Sequence, residues 1–514
     1  IMSNLKPTLL LSLEMTNVLA HIEQNGIKIN KNTLTEIRNE YEQELFTLER
    51  RLNILAANSM GDTPVNLDSP DDRSMILYSC KVRDKRKWAD IFNLGHEMRG
   101  ATKKPKMRRR MSRAEFNRHV LNETDVMYKT VGSQCSDCSG KGRFNPLKKD
   151  GTIGKAVRIC KTCDGKGVKY TRTPEIAGFK ILPRDTFDTA SGGFKTDKET
   201  LEDLSLTLRG DAREFAQSYI RYSALRTYLR SFVDGMENNM DGNGFIHTEF
   251  MQCVTATGRL SSRNPNFQNM PRGTTFAIRR AIESRFEGGS ILEGDYAQLE
   301  FRVAGFLAQD DAIKTDVEIG TDVHTYTASV IGCTRQEAKA HTFKPLYGGV
   351  SGTDDQQRYY RAFKDKYKGV TEWHKVLQKD AVTKKEITLP SGRIYAFPDA
   401  KWTEWGTATN RTAICNYPVQ GFATADLLPM ALVKLHQDMI DKSMKSLICN
   451  TVHDSIVIDV YPGEEQMCIE TMAAAMLCLP QETERRYDIS YDMPVGIELK
   501  MGTNWLDLEP VYEV

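Results

Sequence analysis

The sequence has 514 residues, of which 40% are hydrophobic and 27% charged. That is an ordinary globular composition on a chain too long for one simple core, so two to four domains are expected. No apolar run reaches membrane-spanning length and no secretory leader is recognisable, which excludes a helical membrane protein and makes the cytoplasm the expected location. The formal net charge of +2 conceals strong patterning: residues 81–114 hold thirteen Lys or Arg against three acids, including "KKPKMRRR" at 103–110. Such a block is a usual nucleic-acid footprint, and a solvated disordered tail is the other reading of the same composition.

In chain order, the first fifty residues show apolar positions at helical spacing, broken at Asn25-Gly26 and resuming as one long charged helix. From about Lys81 to Arg172 the pattern turns basic, Gly-rich and Cys-containing, which reads as an inserted module. Within it, "CSDCSGKG" (135–142) and "CKTCDGKG" (160–167) are two matching knuckles. Cys135, Cys138, Cys160 and Cys163 have the spacing of a four-thiolate structural Zn²⁺ site, the glycines allowing tight turns around sulfur. The other cysteines, such as Cys253, Cys333 and Cys449, read as small core residues. Helical periodicity returns in "DKETLEDLSLTL" and "REFAQSYIRYSALRTYLRSFVDGM", and beyond Gly242 short strands and helices alternate.

Three later stretches carry chemistry. In "SILEGDYAQLEFRVAGFLAQDD" a strand ends near Gly294, and Leu299, Val303 and Phe306 then follow at helical spacing. Asp295 is therefore expected at a strand-to-helix corner. In "RQEAKAHTFKPLYGG", Arg335, Lys339, Phe343 and Tyr347 recur every four residues. They predict a helical stripe of two cations and two aromatics, suited to a triphosphate and a base. A charged helix with a buried aromatic end fits the same spacing, and Pro345 should kink or end the helix. In "SLICNTVHDSIVIDVY" two β-branched runs flank His453-Asp454, a predicted hairpin with Asp454 at its tip. Two presented aspartates suit Mg²⁺, which prefers hard oxygen ligands, and two such ions can activate one oxygen and stabilise another.

These stretches, in this order, resemble motifs A, B and C of the family A DNA polymerases, the family of bacterial DNA polymerase I and many phage replicases. Further matches are "TATGRLSSRNPNFQNMP" (255–271), "DVHTYTA" (322–328), "NYPVQG" (416–421), the closing "MPVGIELKMGTNW" and the opening "IEQNGIKIN" and "VNLDSPDDRSMILY". The resemblance implies an α+β right-hand polymerase fold: a palm with an antiparallel sheet, helical fingers and thumb, and here a small zinc-ribbon-like insert. The expected division is thumb at 1–80 and 176–242, the basic zinc-binding insertion at 81–175, palm at 243–310 and 445–514, and fingers at 311–444. It implies template-directed addition of deoxynucleotides to a primer 3′-hydroxyl in phage-type genome replication. Two Mg²⁺ ions would sit on Asp295, Asp454 and the Tyr296 carbonyl. The nucleotide would meet Tyr296, Gln298, Glu300, His324, Arg335, Lys339, Phe343 and Tyr347. Primer–template DNA would meet Arg259, Asn266, Gln268, Asn269, Asn416, Gln420 and His453. Phe343 implies discrimination against dideoxynucleotides.

The chain also departs from the bacterial pattern. Ser455 stands where an acid follows His-Asp, Ala297 replaces a Ser, Lys344-Pro345 replaces a Gly-containing pair, and Arg411 lies nine residues before Gln420, one more than usual. No acidic exonuclease constellation precedes Glu14 in this sequence; the two readings are a polymerase without proofreading, or an exonuclease domain upstream of Ile1 or on another chain. The rival readings are a single-subunit RNA polymerase, which Glu300 argues against, and a non-catalytic zinc-dependent DNA-binding protein. The insert is expected to hold duplex DNA through its charge, with docking of a processivity or replisome partner as the other reading.

Overall fold

The computed structural model describes residues 6–91, 112–147, 149, 152–183, 194–271, 273, 275–349 and 354–514. Residues 103–110, the densest part of the expected basic block, lie outside the described residues. The chain forms two compact units, one of residues 1–39 and 228–514 and one of residues 40–227.

Helix α1 (Pro7–Asn25) begins with Pro in its first turn, where a missing N–H costs nothing. Its buried face is Leu11, Met15, Val18, Leu19 and Ile22, the spacing of one helical stripe. It stops at Gly26, whose φ of +63° suits glycine, and where a Cβ would meet the His247 ring at 2.7 Å. The long helix expected after this break is α2 (Lys31–Met60).

In the unit of residues 40–227, Leu52, Leu55, Ala56 and Met60 share a core with Trp88, Phe116, Phe194, Phe215 and Ala216. The last two belong to α3 (Gly210–Tyr228), which is bridged to α2 by Arg51–Glu214 and Arg221–Glu44. A separate antiparallel ribbon joins residues 128–134 to 168–176, with the two cysteine knuckles between its strands.

The other unit is built on a five-stranded sheet. Its first strand in the chain, β1 (Ser290–Tyr296), runs centrally and leads into α4 (Leu299–Ala308). A helical region follows: α5 (Val323–Ile331), α6 (Arg335–Thr342), α7 (Asp354–Lys366), α8 (Lys368–Thr383), α9 (Arg411–Gly421) and α10 (Leu428–Asp441). The chain then returns as the hairpin β2 (Leu447–Val452) and β3 (Ser455–Val460), and closes with β4 (Ile497–Gly502) and β5 (Glu509–Glu513). The sheet order is β2-β3-β1-β4-β5, and all pairs are antiparallel. Leu292, Ile448, Ile456, Ile458, Val460 and Leu499 carry it into the main core.

Two expectations need correction. The stripe from Arg335 to Tyr347 is not one helix: α6 ends at Thr342 with Phe343 as its C-terminal cap, the early end that Pro345 predicts. A proline disfavours helical backbone at the residue before it, here Lys344, and its ring clashes one turn back, so the helix closes early. Of the cysteines read as core, Cys449 is buried, but Cys253 is exposed and Cys333 only half-buried. Cys253 occupies a left-handed backbone position, φ +60°, which belongs to a turn rather than a core strand.

Candidate active site and cysteine centre

Asp295 and Asp454 are brought together by strand register. Asp295 is the sixth residue of β1 and pairs with Ser455 of β3, so its neighbour across the sheet is the residue that follows Asp454. Both strands are hydrophobic enough to be fixed by the core, and the aspartates are carried to their ends. Glycine at 294 is demanded by packing, since a Cβ there would meet the Met472 and Met476 sulfurs at 2.6 and 2.8 Å. The hairpin tip needs one left-handed residue, and His453 supplies it at φ +58°. Its N–H donates to Gln268 Oε1 at 3.2 Å, and the Gln268 amide donates to the Thr451 carbonyl. Gln268 is thus buried as a brace of the tip, while Asn266 and Asn269 beside it are exposed.

Ser455, in the place of an acid, is fully buried. Its hydroxyl lies 3.0 Å from the Val452 carbonyl and 3.3 Å from Glu293 Oε1. The Tyr296 hydroxyl is buried and donates to the Met476 carbonyl at 2.9 Å. Burial, and after it neighbours that include Asp454, push its phenol far above the ordinary range. The donors at this corner are two carboxylates and the Tyr296 carbonyl. All are hard oxygens, the donor set a Mg²⁺ ion accepts.

In the first turn of α4, Glu300 accepts hydrogen bonds from the Arg259 guanidinium and the Tyr347 hydroxyl. Burial raises the Glu300 carboxyl and the Arg259 charge opposes that rise. The loop before Arg259 is held from behind. Tyr395 donates to the Thr257 carbonyl at 2.8 Å, in a space that exists because residue 421 is glycine. Gln298 precedes α4 in left-handed conformation, and its carbonyl receives the first helical N–H groups.

The helical side of the site gathers His324, Arg335, Lys339 and Phe343. Asp322 caps α5, accepting from the His324 and Thr325 N–H groups, and pairs with Arg335 Nε at 2.6 Å. Against its burial, the Arg335 pair and these hydrogen bonds hold its carboxyl far below the usual range. His324 Nδ1 lies 2.9 Å from Thr342 Oγ1, and its ring meets Phe343 edge to face at 5.3 Å. Burial lowers its basicity; Asp322 opposes this, while Arg335 and Lys339 add to it. Lys339 is exposed. On α9, Asn416 and Gln420 lie one turn apart and are half-buried. Asp322, Thr342 and Tyr395 were not among the expected site residues. The signal for Asp322 is its place as an N-cap before a helix; the other two carry none in local sequence.

In the other unit, the Sγ atoms of Cys135, Cys138, Cys160 and Cys163 all lie within 4.8 Å of one another and are buried. The two knuckles repeat each other bond for bond. Gly142 N–H donates to Cys138 Sγ and Gly167 N–H to Cys163 Sγ, both at 3.2 Å. Cys135 N–H donates to the Gly167 carbonyl and Cys160 N–H to the Gly142 carbonyl. A Cβ at Gly142 or Gly167 would fall 2.1–2.2 Å from the opposite knuckle's carbonyl oxygen, so both glycines are obligatory. Four inward thiols with amides aimed at sulfur are fit to hold one metal ion.

The family model "DNA polymerase family A" matches residues 179–507, more than half of the chain. The chain belongs to this family. DNA polymerase I of Lactococcus lactis subsp. cremoris is 28% identical over 340 residues, covering 61% of the chain and 37% of that protein. The thermostable DNA polymerase I of Thermus filiformis is 29% identical over 340 residues, 61% of the chain and 39% of that protein. The chain thus spans under two fifths of the length of these relatives. Among solved structures, the POL domain of Pol1 from M. smegmatis, in complex with DNA primer-template and dNTP, aligns with a TM-score of 0.65 at 20% identity. That alignment covers 96% of the chain and 70% of that one, so the fold is that of a polymerase domain. Among the described residues no helix is long and apolar enough to cross a membrane.

Proposed function

We propose that the chain is a DNA-directed DNA polymerase that extends a primer 3′-hydroxyl with deoxynucleotides. The observation that carries this is the register of Asp295 against Ser455, which sets the two family aspartates side by side at one end of a buried sheet. Asp295, Asp454 and the Tyr296 carbonyl would hold two Mg²⁺ ions, whose charge activates an attacking oxygen and stabilises a leaving one. The protein's part is positioning and charge neutralisation. Arg335, Lys339 and His324 would receive the triphosphate, which exchanges Arg335 from its pair with Asp322. Phe343 and Tyr347 would line the nascent base pair, and Gln298 would border the nucleotide. Glu300, held by Arg259 and Tyr347, would lie against the sugar and exclude a 2′-hydroxyl. Asn266, Asn269, Asn416, Gln420 and His453 would face the primer–template, with Gln268 fixing the tip from beneath.

Zinc is the metal the four-cysteine group would hold. The exposed Lys141, Arg143, Lys155, Arg158, Lys161, Lys166, Lys169 and Arg172 around it support a module that grips duplex DNA through phosphates. Primer extension with Mg²⁺ and deoxynucleotides tests the first reading, and salt-dependent duplex binding after deletion of residues 83–172 tests the second. An inactive wild-type chain on a matched primer overturns the polymerase assignment; an unchanged salt slope overturns the grip.

A further inference from the structure

Outside the aspartate site, one short ribbon leaves two indoles in water. Trp402 bridges to Ala408, Thr403 N–H donates to the Thr407 carbonyl at 2.8 Å, and Gly406 N–H returns to the Thr403 carbonyl at 3.0 Å. The stem is tied again by Thr409 N–H to the Lys401 carbonyl at 2.8 Å. This ordered turn presents Trp405 at 79% exposure and Trp402 at 48%. Tryptophan is highly buried on average, so an ordered ribbon that spends two of them on solvent calls for an occupant.

The turn end of the same ribbon borders a cavity of about 210 Å³ lined by Gly406 and Thr407 together with Lys364, His374, Lys375 and Arg411. Arg411 Nε is buried with no nitrogen or oxygen partner among the described residues, and the Arg411 side chain bonds the neutral Cys415 thiol instead. Neither Lys364 nor Arg411 has a carboxylate within ion-pair distance among the described residues, whereas Lys375 is paired with Glu372 at 2.6 Å. Burial and then Arg411 lower Lys364, with Asp365 opposing. Burial takes His374 down to about 4; its bond to the Leu346 carbonyl opposes this, while Arg411 and Lys364 deepen it. The cavity is therefore positive and not neutralised from within. Arg411 stands one residue off the bacterial spacing, and this cavity is where that displaced guanidinium goes.

Flat exposed indoles beside an uncompensated cationic pocket are the two components of sequence-tolerant single-strand binding: a base stacks on the ring and a phosphate meets the cations. We propose that the ribbon of Trp402 and Trp405, with the Lys364–Arg411 cavity beside its turn, binds single-stranded DNA, the unpaired template. The identity of that strand as the template rests on the polymerase reading; single-strand binding does not.

The test titrates the full chain with a thymidine oligonucleotide of about twelve nucleotides, following tryptophan fluorescence. A primer–template with a 5′ overhang and a blunt duplex serve as paired probes. Trp405→Ala is expected to weaken oligonucleotide and overhang binding by about tenfold and to leave blunt-duplex binding unchanged. Trp405→Phe should keep most of the affinity, and Lys364→Gln should reduce the salt slope by about one phosphate. Equal losses on blunt and overhang probes would overturn the proposal. So would unchanged oligonucleotide affinity in Trp405→Ala and Lys364→Gln, the result expected if the indoles dock a protein instead. Single-nucleotide extension by the same variants is scored separately, so an inactive polymerase and a missing strand site give different results.

Discussion

The hairpin that carries Asp454 and the knuckles that carry the four cysteines are both tight turns joining short strands, yet they are held by opposite means. Every residue of β3 is buried, and Ile456, Ile458 and Val460 join a core shared with α1 and α10. The aspartates ride on that core without forming it. In the cysteine module the long return strand is almost entirely exposed, as are Val131, Phe144, Val157 and Ile159, and the buried cluster contains the four cysteines alone. There the site is the core. A small module without apolar burial must take its stability from a metal or from disulfides, and the thiol geometry favours the metal.

The largest expected effect follows from that contrast. Structural zinc contributes about 10–16 kcal/mol of folding free energy in small metal-folded domains. A chelator, or Cys135→Ser with Cys160→Ser, should therefore abolish amide-exchange protection across residues 128–176 while leaving β1–β4 protected. Metal analysis should find about one zinc per chain. A zinc-free native protein with the same protection pattern would break the comparison.

The converse test removes charge from the sheet. Asp295→Asn and Asp454→Asn should each lower nucleotide addition by about a thousandfold or more, with melting temperature and primer–template binding nearly unchanged. A coupled loss of stability would mean that the aspartates hold the palm together, as the cysteines hold their module.

Much of this was legible in the sequence, for physical reasons that differ by region. The α1 break at Gly26, the β2–β3 hairpin and the corner at Asp295 follow from helical and alternating hydrophobic patterns. The knuckles follow from spacing, because their ligands are local. The meeting of Asp295 with Asp454 does not, since it depends on a register between strands some 160 positions apart in the chain; ordered motif resemblance supplied it. The helix of α6 ends near Pro345, as that proline predicts, so the four-residue spacing that continues to Phe343 and Tyr347 is not helical. The Trp405 ribbon was invisible, since a tryptophan in sequence looks the same whether it faces a core or water.

Acid should separate the two regions again. His374 is buried in the helical part of the palm-containing unit and lies 2.9 Å from the Leu346 carbonyl, one residue before Tyr347. Its pKa falls to about 4 by burial, from 6.5. The fold therefore favours neutral His374. Its stabilisation is complete above about pH 6.5, is lost as pH falls toward 4, and does not fall further below that. The full loss is up to about 3 kcal/mol. His374→Gln should flatten this part of the acid profile, and added zinc should not restore it. Acid loss in the cysteine module, where thiolates compete with protons for metal, should respond to zinc.

The smallest expected effect concerns how firmly a packed scaffold positions a charged loop. Among the described residues the Tyr395 hydroxyl makes one hydrogen bond, to the Thr257 carbonyl, and its ring lies in the main core. Tyr395→Phe keeps that ring and leaves the carbonyl without its donor, which costs about 1 kcal/mol. Thr257 is two residues from Arg259, and Arg259 holds Glu300 with Tyr347. If the loop positions Glu300, the variant should show a few-fold loss of discrimination against ribonucleotides beside its small drop in melting temperature, because a freer Arg259 lets the carboxylate move from the sugar. Glu300→Gln supplies the upper limit for that loss. A variant with the stability change alone would show that the core fixes Glu300 directly through α4, with the Thr257 loop serving only to pack.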